Sequence, residues 1–410
     1  MTRTLTPAGH VAMVSEHASP LAALGGPDAG GQNVYVAQVA RQLAGKGYRV
    51  TVYTRRDSTG LPDRATLTDG VRVVHVPAGP PVPVPKDELL PYMGEFGAFL
   101  AREWAVAPPD VAHSHFWMSG LAALSGARGL GIPVVQTYHA LGTVKKRHQG
   151  ADDTSPPQRV IIEKAVGHAC ARIIATCSDE VAELRAMGLP PDRTAVVPCG
   201  VDPEQFTPLT RTRPADGRRR LLAVGRLVPR KGFDRAIRAL AGIPNAELLV
   251  AGGPEADLLG AEPEAERLRA IAAEYGVSDR VTLLGGVSRA RMPGLMAGAD
   301  LVLSLPRYEP FGIVPLEAMA CAKPVVASAV GGQLDTVVHD STGVLVPADD
   351  DRDLGAVIGA LLDDPHRLAR YGDAGRQRVL AHYTWDRVTE LIAGVYGAVS
   401  STAPLSEVVR

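Results

Sequence analysis

The amino-acid sequence predicts an α/β fold with two domains, each built on a parallel sheet. Three observations support this prediction. Short apolar strands alternate with glycine-containing loops and amphipathic helices from residue 11 onward, and the alternation breaks at 200–208 and starts again at Leu221. The length of 410 residues also exceeds what one hydrophobic core normally serves, which indicates two domains of roughly 200 residues each.

The first predicted unit is a strand, a glycine-rich loop, a helix and a second strand. The strands cover 11–16 and 48–54, and the loop covers 25–33. The helix between them has apolar residues at helical spacing, namely Val36, Val39, Ala40 and Leu43. The loop lacks the G-x-G-x-x-G spacing of a dinucleotide site. It is either a plain turn or a contact for a phosphorylated or polyhydroxylated ligand, and Gln32 and Asn33 at the helix start favour the ligand.

Histidines end two further predicted strands of the first domain. The run 109–116 contains a strand that ends in His113 and His115, and the run 133–139 contains a strand that ends in His139. In open α/β sheets, ligands bind at the carboxyl ends of the strands. A single histidine in such a place is more often structural than functional. Because these strand ends converge on one edge, we expect a ligand site at His115 and His139.

Two basic segments lie in predicted loops of the same domain. Lys86 follows the proline-rich run 79–85, and a basic run covers 145–148. For each segment a solvated surface charge competes with a role in binding or steering an anionic ligand. The sequence alone does not favour either alternative strongly, so both remain open.

The second domain contains a basic pair placed between a strand and a helix. Its predicted strands are 221–226, 246–251, 281–284, 301–305, 324–328 and 342–347. Arg226 ends the first of them, and Lys231 begins the helix that follows. Both side chains can therefore point at one anion, which the start of a helix also favours. This arrangement predicts a diphosphate site.

Two glutamates stand eight positions apart in the run 307–321. Pro315 fits the first position of the predicted helix, so the amides of residues 311–313 would lie at its positive end. Glu309 and Glu317 are either solvated charges, an acid/base pair of a hydrolase, or carboxylates that hold ligand hydroxyls. The apolar residues around Glu317 favour a buried carboxylate, which requires polar partners.

Composition restricts the partners and the compartment. A net charge of −1, with 46% hydrophobic and 21% charged residues, argues against an extended nucleic-acid surface. The four cysteines lack metal-ligand spacing and indicate a reducing compartment. The sequence has neither a signal-peptide pattern nor an apolar run of the ~20 residues that span a bilayer. We therefore expect a cytoplasmic protein without membrane insertion, and the sequence makes no prediction of oligomeric state.

Four motifs together resemble one enzyme family. They are GPDAGGQNVY (26–35), HSHFWMSG (113–120), VGRLVPRKG (224–232) and EPFGIVPLE (309–317). They closely resemble the retaining GT-B glycosyltransferases with a Glu-x7-Glu signature, which include sucrose-phosphate synthases and the inositol-phosphate N-acetylglucosaminyltransferase of mycothiol synthesis. The resemblance covers nearly the whole chain. It implies two Rossmann-like domains facing a central cleft: an acceptor domain at 1–203, a donor domain at 204–383, and a C-terminal helix within 384–410 that packs back on the first domain.

The resemblance also implies roles for individual residues. Arg226 and Lys231 would hold the donor diphosphate, Glu317 the ribose, and Glu309 the sugar hydroxyls near the anomeric carbon. The residues that would surround the sugar and the phosphates are Gly30, Gly31, Phe311, Gly312 and Ile313. His115 and His139 would lie beside the transferred sugar. The residues implied to contact the acceptor are Asn33, Lys86, Tyr138 and Lys145.

The implied reaction is the transfer of a sugar, with retention, from a nucleotide-diphosphate sugar to a small sugar, cyclitol or sugar-phosphate acceptor. A uridine diphosphate (UDP) sugar is the expected donor, and we expect neither a cofactor nor a metal. In the inositol-phosphate subgroup a Tyr stands where this chain has Phe116, and a Thr that grips acceptor phosphate stands where it has Ala140. The alternatives are a nucleotide-sugar epimerase of the same fold and a catalytically silent nucleotide-sugar-binding protein.

Overall fold

The computed structural model of the chain describes residues 9–22, 30–209 and 217–400. Within these ranges the chain forms two compact units. One comprises 9–22, 30–198 and 385–400, and the other comprises 199–209 and 217–384. Each unit contains a mainly or wholly parallel sheet with helices packed against it, which confirms the predicted α/β class. No helix in the described ranges is both long enough and apolar enough to cross a lipid bilayer.

The sheet of the first unit has eight strands in the described residues. They are β1 (His10–Val14), β2 (Arg49–Arg55), β3 (Arg64–Thr68), β4 (Val71–Val76), β5 (Val111–His115), β6 (Val134–Thr137), β7 (Arg172–Ala175) and β8 (Thr194–Val196). The strand order is β3-β4-β2-β1-β5-β6-β7-β8. The central strands β1 and β5 are buried along their whole length. β1 is apolar from Val11 to Val14, whereas β5 ends in the buried polar residues His113, Ser114 and His115.

In the described residues, six α-helices of the first unit precede the second unit in the chain. They are α1 (Gly31–Gly45), α2 (Met93–Val106), α3 (Trp117–Ala127), α4 (Gly142–Gln149), α5 (Arg159–Ala169) and α6 (Ser178–Ala186). Parallel pairing of β1 with β5 and of β5 with β6 brings the carboxyl ends of these strands to one edge. This edge carries the residues that immediately follow β1, β5 and β6.

The sheet of the second unit is entirely parallel in the described residues. Its strands are β9 (Arg219–Val224), β10 (Ala246–Ala251), β11 (Val281–Gly285), β12 (Leu301–Ser304), β13 (Val325–Ser328) and β14 (Gly343–Val346). The order is β11-β10-β9-β12-β13-β14, so β9 and β12 are neighbours at the centre of the sheet. The helices are α7 (Phe233–Leu240), α8 (Pro263–Glu274), α9 (Met292–Gly298), α10 (Ile313–Ala320), α11 (Gln333–Thr336), α12 (Leu354–Leu362) and α13 (Pro365–His382).

The last described helix, α14 (Trp385–Ser400), belongs to the first unit. Its Tyr396 hydroxyl lies 2.7 Å from Nδ1 of His113 in β5. The Trp385 ring meets the Tyr35 ring of α1 edge to face, at 5.7 Å between centroids. Buried aromatic and histidine side chains therefore hold α14 against α1 and β5.

Several local predictions differ from the structure. Arg226 lies two residues beyond the end of β9 instead of ending the strand, and Lys231 lies in a 3-10 turn (Pro229–Lys231) before α7 instead of beginning that helix. The basic run 145–148 lies in α4 and not in a loop. Pro315 is the third residue of α10 and not its first, because Gly312 takes a left-handed conformation (φ 70°) as the residue before the helix. A proline is tolerated there, since N–H groups of the first helical turn have no partner within the helix. Strand β3 was not predicted; it pairs antiparallel at the sheet edge, where its side chains are exposed or half-buried.

Candidate functional site

The centre of the second unit places a lysine beside a glutamate. Lys231 ends a short 3-10 turn after β9, and Glu309 lies in the loop after β12. Because β9 and β12 are parallel neighbours, the loops that follow them meet at one edge of the sheet. There Lys231 Nζ forms an ion pair with Glu309 Oε2. Both side chains are largely buried.

Glycines allow the backbone around this ion pair to pack closely. Gly232 has φ 69°, and a Cβ at this position would lie 1.9 Å from the Leu305 carbonyl oxygen. Gly331 has φ 50°, and a Cβ there would lie 2.1 Å from the Glu309 carbonyl oxygen. The next residue, Gly332, donates its N–H to that same Glu309 carbonyl at 2.9 Å. The position of Glu309 therefore depends on backbone contacts that no larger residue permits.

Electrostatics keep Glu309 ionised. Burial alone would raise the pKa of Glu309, but Lys231, Arg230 and the Phe311 N–H outweigh this effect and hold the pKa below its ordinary value. Burial also lowers the pKa of Lys231; Glu309 opposes the shift, whereas Arg230 and Arg226 add to it. The Glu309 carboxylate can thus accept hydrogen bonds from hydroxyls. A further anion bound here would offset the positive charges of Lys231, Arg226 and Arg230, which one carboxylate does not balance.

Arg226 and Arg230 surround the ion pair with further positive charge. Arg226 is exposed and lies two residues beyond β9. The Arg230 guanidinium stacks on the Tyr308 ring at 5.1 Å, and the Arg230 carbonyl accepts the Arg307 N–H at 2.8 Å. These contacts tie the loop after β9 to the loop after β12. The sequence prediction did not include Arg230, although it directly precedes Lys231.

The start of α10 faces the same edge of the sheet. Gly312 precedes the helix and Ile313 begins it, so the amides of residues 311–313 lie at its positive end, as predicted. Further along the helix, Glu317 is buried, and its Oε1 lies 2.8 Å from Nη1 of Arg289. Burial raises the pKa of Glu317, against the pull of Arg289. The structure thus places Glu309 and Glu317 on a loop and on the helix that continues from it.

Arg289 is a site residue that the sequence prediction missed. It lies in the loop after β11, and its guanidinium stacks on Phe206 at 5.0 Å. Its Nε and Nη2 are buried and have no hydrogen-bond partner in the described part of the chain. A signal was present in the sequence, because Arg289 follows the carboxyl end of a predicted strand, where ligand contacts are expected.

In the first unit, three histidines cluster at the carboxyl end of the sheet. His115 Nδ1 lies 3.0 Å from His139 Nε2, and the His113 ring is tilted by 40° against the His115 ring, with 4.1 Å between the ring centroids. Tyr35 contacts the His115 and His139 rings edge to face. His139 has φ 62° and Phe116 has φ 82°, both rare for residues other than glycine. Such strain is often retained at functional sites.

These buried histidines make the stability of the protein depend on pH. Burial lowers the pKa of His113 to about 3, and burial together with the neighbouring histidines lowers the pKa of His115 and of His139 well below 6.5. Below pH 6.5 the unfolded chain therefore takes up protons that the folded chain does not, and stability falls as the pH falls. Each histidine contributes a slope of about 1.4 kcal/mol per pH unit in this window.

We expect His113→Gln to reduce this slope by the contribution of one histidine. The free energy of unfolding, measured in urea by tryptophan fluorescence at pH 7, 6 and 5, tests the expectation. His366→Gln is the control, because His366 is exposed on α13 of the other unit. A slope in His113→Gln equal to that of the wild type would show that burial of His113 does not control the pH dependence.

A carboxylate and a histidine stand directly after β1, at the same edge as the histidine cluster. Glu16 is buried, and its Oε1 lies 2.8 Å from Nδ1 of His17. The Ser119 hydroxyl bonds to the other carboxylate oxygen of Glu16 and accepts the Glu16 N–H at 3.0 Å. The His17 ring meets the Phe116 ring edge to face at 4.9 Å. Glu16 was the last residue of the predicted strand 11–16 and His17 followed it, but the sequence prediction gave neither residue a role; the observed strand β1 ends earlier, at Val14.

The glycine-rich loop is described from Gly30 onward, and residues 23–29 lie outside the described part. Gly30 precedes α1, and Gly31 begins it. The Asn33 side chain accepts the Gly30 N–H and donates to the Ser19 carbonyl, each at 3.0 Å. Asn33 therefore holds the loop in place with both ends of its amide group.

The other predicted acceptor residues have internal partners. Lys145 Nζ lies 3.1 Å from Asp87 and 3.0 Å from Asp153. Lys86 begins a short 3-10 turn next to Asp87. Tyr138 is fully buried, and its hydroxyl donates to the Glu163 carbonyl at 2.7 Å. This contact stabilises the packing of α5 and leaves the Tyr138 hydroxyl facing the protein interior rather than a ligand.

Arg159 and Glu163 of α5 form a buried ion pair. Arg159 Nε lies 2.8 Å from Glu163 Oε1, and the remaining Arg159 nitrogens bond to Ser155 and to the Ala140 carbonyl. The guanidinium also stacks on Phe116 at 5.1 Å.

Within the ranges that the structure describes, no three His, Cys, Asp or Glu side chains form a group that could hold a metal ion.

The chain is similar to known proteins over most of its length. Residues 29–205 match the model "Glycosyltransferase Family 4", and residues 210–378 match "Glycosyl transferases group 1". The chain is 38% identical over 408 residues to the D-inositol 3-phosphate glycosyltransferase of Acidothermus cellulolyticus, covering 94% of this chain and 89% of the relative. A D-inositol 3-phosphate glycosyltransferase of Catenulispora acidiphila is also 38% identical, over 94% of this chain and 95% of its own length.

Solved structures show the same architecture. Sucrose-phosphate synthase from Thermosynechococcus elongatus superimposes with a TM-score of 0.87 at 30% identity, over 95% of this chain and 99% of that one. Anabaena HepE, solved with UDP-glucose, superimposes with a TM-score of 0.72 at 19% identity, over 95% of this chain and 99% of that one, and supports the fold alone. The predicted GT-B fold is therefore confirmed.

Proposed function

Since this chain belongs to the nucleotide-sugar-dependent GT-B glycosyltransferases that include D-inositol 3-phosphate glycosyltransferases and sucrose-phosphate synthase, we propose that it transfers a hexosyl group, with retention, from a UDP-sugar to a hydroxyl of a small sugar, cyclitol or sugar-phosphate acceptor. The names of these relatives refer to D-inositol 3-phosphate and to sucrose phosphate, which are small molecules of the kind proposed as acceptor and product. The relatives are transferases, so the epimerase and the silent binding protein are not favoured.

The ion pair between Lys231 and Glu309 carries this proposal. In the proposed complex Lys231 and Arg226 hold the diphosphate of the donor, and the amides of residues 311–313 add the positive end of α10. When the sugar–phosphate bond breaks, negative charge grows on the leaving diphosphate. Charges that are already in place stabilise it without reorganisation, which is the most effective form of electrostatic catalysis.

The carboxylates hold hydroxyl groups in this proposal. Glu309 is ionised, and once the diphosphate competes for Lys231, its carboxylate accepts hydrogen bonds from the transferred sugar. Glu317 is bonded to Arg289 through one oxygen, and the other oxygen accepts from the ribose. The proposed contacts from the first unit are the Gly30 and Gly31 backbone to the phosphates, and His115 and His139 to the transferred sugar.

The acceptor hydroxyl attacks from the face that the diphosphate leaves, and an oxygen of the leaving phosphate takes up its proton. No protein base is needed in this scheme. Lys231, Arg226 and the helix start perform the charge neutralisation that other folds assign to a divalent cation. We therefore propose catalysis without a metal.

Two measurements on the purified protein test the proposal. The first compares the thermal shifts caused by UDP-, ADP- and GDP-glucose. The second follows turnover with each acceptor of a panel of sugars and cyclitols. We expect stabilisation by UDP-glucose above the other two, because binding to the native state raises apparent stability. The product should have the anomeric configuration of the donor and should form at an undiminished rate in excess chelator. An inverted product, or activity that chelator abolishes and Mg²⁺ restores, would contradict the respective part of the proposal.

A further inference from the structure

A buried arginine of α7 has no role in the scheme above. We infer that Arg235 is a positioning residue for transfer: its guanidinium fixes the main chain on both sides of the ion pair between Lys231 and Glu309, so that the two charged groups meet the donor in one geometry. The inference rests on the proposed function. It assigns to Arg235 an effect on the rate of transfer and no contact with a ligand.

The Arg235 side chain is 1% exposed and forms hydrogen bonds with four residues. Its Nε donates to Asp351 Oδ1 at 2.6 Å, and its Nη1 donates to the Ser328 hydroxyl at 2.8 Å. Nη1 also donates to the Leu305 carbonyl at 3.3 Å, and Nη2 donates to the Pro347 carbonyl at 2.6 Å. An arginine is almost never buried so completely unless its charge and its N–H groups have partners. These partners therefore hold the guanidinium in one place, and it holds them.

The partners of Arg235 lie at the carboxyl ends of three neighbouring strands. Leu305 directly follows β12, Ser328 ends β13, and Pro347 directly follows β14. Arg235 itself is in the first turn of α7, which follows β9 and the turn that contains Lys231. Since β9, β12, β13 and β14 are adjacent in the sheet, one side chain links the loops after four consecutive strands. This is the edge at which ligands bind in such sheets.

The Leu305 carbonyl connects Arg235 to both members of the ion pair. Gly232, which follows Lys231, approaches this carbonyl so closely that a Cβ at residue 232 would lie 1.9 Å from its oxygen. The same carbonyl stands at the start of the loop that carries Glu309. The loop after β13 holds Glu309 from the other side, because the Gly332 N–H donates to the Glu309 carbonyl at 2.9 Å. A displaced guanidinium would therefore release the backbone around both charged groups.

A second arginine bonds to carbonyls at the opposite end of the same sheet. The Nη1 of Arg280 donates at 3.2, 2.7 and 3.1 Å to the carbonyls of Leu240, Ile243 and Ala246. Ala246 begins β10, so Arg280 lies at the amino end of the strands, away from the edge where ligands bind. A comparison of the two arginines therefore distinguishes support of the fold from positioning of the ion pair.

The test compares Arg235→Met, Arg235→Lys and Arg280→Met with the wild type. Methionine removes every hydrogen bond of the guanidinium, whereas lysine keeps the charge without the planar fork that serves several acceptors. With UDP-glucose and the best acceptor of the panel, we expect Arg235→Met to lower kcat by at least about tenfold, because small displacements of catalytic groups are costly. Arg235→Lys should lie between Arg235→Met and the wild type. The acceptor KM should not change, since the proposed acceptor contacts lie in the first unit.

Arg280→Met is the matched control. It should lower the melting temperature, because three carbonyls lose a hydrogen-bond donor, and it should leave kcat unchanged. A role of Arg235 in stability alone would give both arginines this same pattern.

Hydrogen–deuterium exchange measures the positioning without turnover. Two amides report on the loop that carries Glu309: the Arg307 N–H donates to the Arg230 carbonyl at 2.8 Å, and the Gly332 N–H donates to the Glu309 carbonyl. In mass spectrometry, peptides that contain residue 307 or 332 should exchange faster in Arg235→Met than in the wild type, because local opening becomes easier. In Arg280→Met their exchange should equal that of the wild type.

The inference requires both slower turnover and faster exchange in the Arg235 variants. An unchanged kcat in folded variants, or exchange at residues 307 and 332 that equals the wild type or rises equally in Arg280→Met, would overturn it while the proposed function stands. If Arg235→Met does not fold, Arg235→Lys decides by the same two measurements. If the wild type turns over no sugar nucleotide with any acceptor, the proposed function fails, and this inference falls with it.

Discussion

Lys231→Ala is expected to lower turnover by at least about 100-fold, as is typical when one preorganised charge facing a leaving group is removed. Lys231 is the cation paired with Glu309 between β9 and β12, and it is largely buried. Without it the proposed leaving diphosphate loses a preorganised positive charge, and Glu309 is left as a buried carboxylate with less compensation. Glu309→Gln should cause a loss of similar size, since the neutral amide neither attracts Lys231 nor accepts hydroxyls as strongly.

Steady-state turnover of UDP-glucose with the best acceptor of the panel measures both variants. Glu247→Gln is the matched control, because Glu247 pairs with Arg220 at 2.7 Å in the same sheet, away from the loops that carry Lys231 and Glu309. We expect the control to keep its activity within about twofold, as partly exposed ion pairs contribute little. Near-normal rates in folded Lys231→Ala and Glu309→Gln would refute the assigned roles.

Gly331→Ala is expected to have the second largest effect, through the backbone. A methyl group at residue 331 would lie 2.1 Å from the Glu309 carbonyl oxygen, so the loop that carries Glu309 must move. The residue also has φ 50°, which adds strain for any side chain with a Cβ. We expect turnover to fall by at least about 100-fold, because small displacements of catalytic groups are costly. The melting temperature should fall as well.

Gly276→Ala distinguishes the effect of backbone strain at a positive φ from the effect of a contact with the Glu309 carbonyl. Gly276 has a similar φ of 66°, but a Cβ there would meet no heavy atom within 4 Å. This control should show only the modest loss of stability that belongs to backbone strain, with turnover unchanged. Equal effects of the two substitutions on turnover would show that the contact with Glu309 is unimportant.

Much of the donor-side arrangement was predictable because it follows from topology. In a parallel sheet the residues after the strands lie at one edge, so Lys231 and Glu309 were expected on the same side of the sheet. The adjacency of β9 and β12, which brings them into contact, was not predicted and comes from the structure. The same rule brought His115 and His139 together, and the structure gives them a 3.0 Å contact. For these two histidines, which follow the consecutive and paired strands β5 and β6, local pattern and chain order were sufficient.

Side-chain pairing was not predictable in the same way. The partners of Lys145 and Arg159 lie in other turns and helices, and nothing in the spacing of Asp87, Asp153 or Glu163 marks them as partners. Tyr138 shows the same limitation, because the family resemblance implied an acceptor contact, whereas packing turns its hydroxyl to the Glu163 backbone. Such orientations are decided by tertiary contacts, which local sequence does not encode.

The return of α14 to the first unit affects how the chain is made. During synthesis the residues of the second unit, up to 384, emerge before α14 does. The second unit can therefore close its sheet while the first still lacks its last helix, and His113 Nδ1 gains its Tyr396 partner only afterwards. A polypeptide interrupted before α14 would therefore contain all residues of the second unit, but its first unit would lack the helix that supplies the Tyr396 partner of His113.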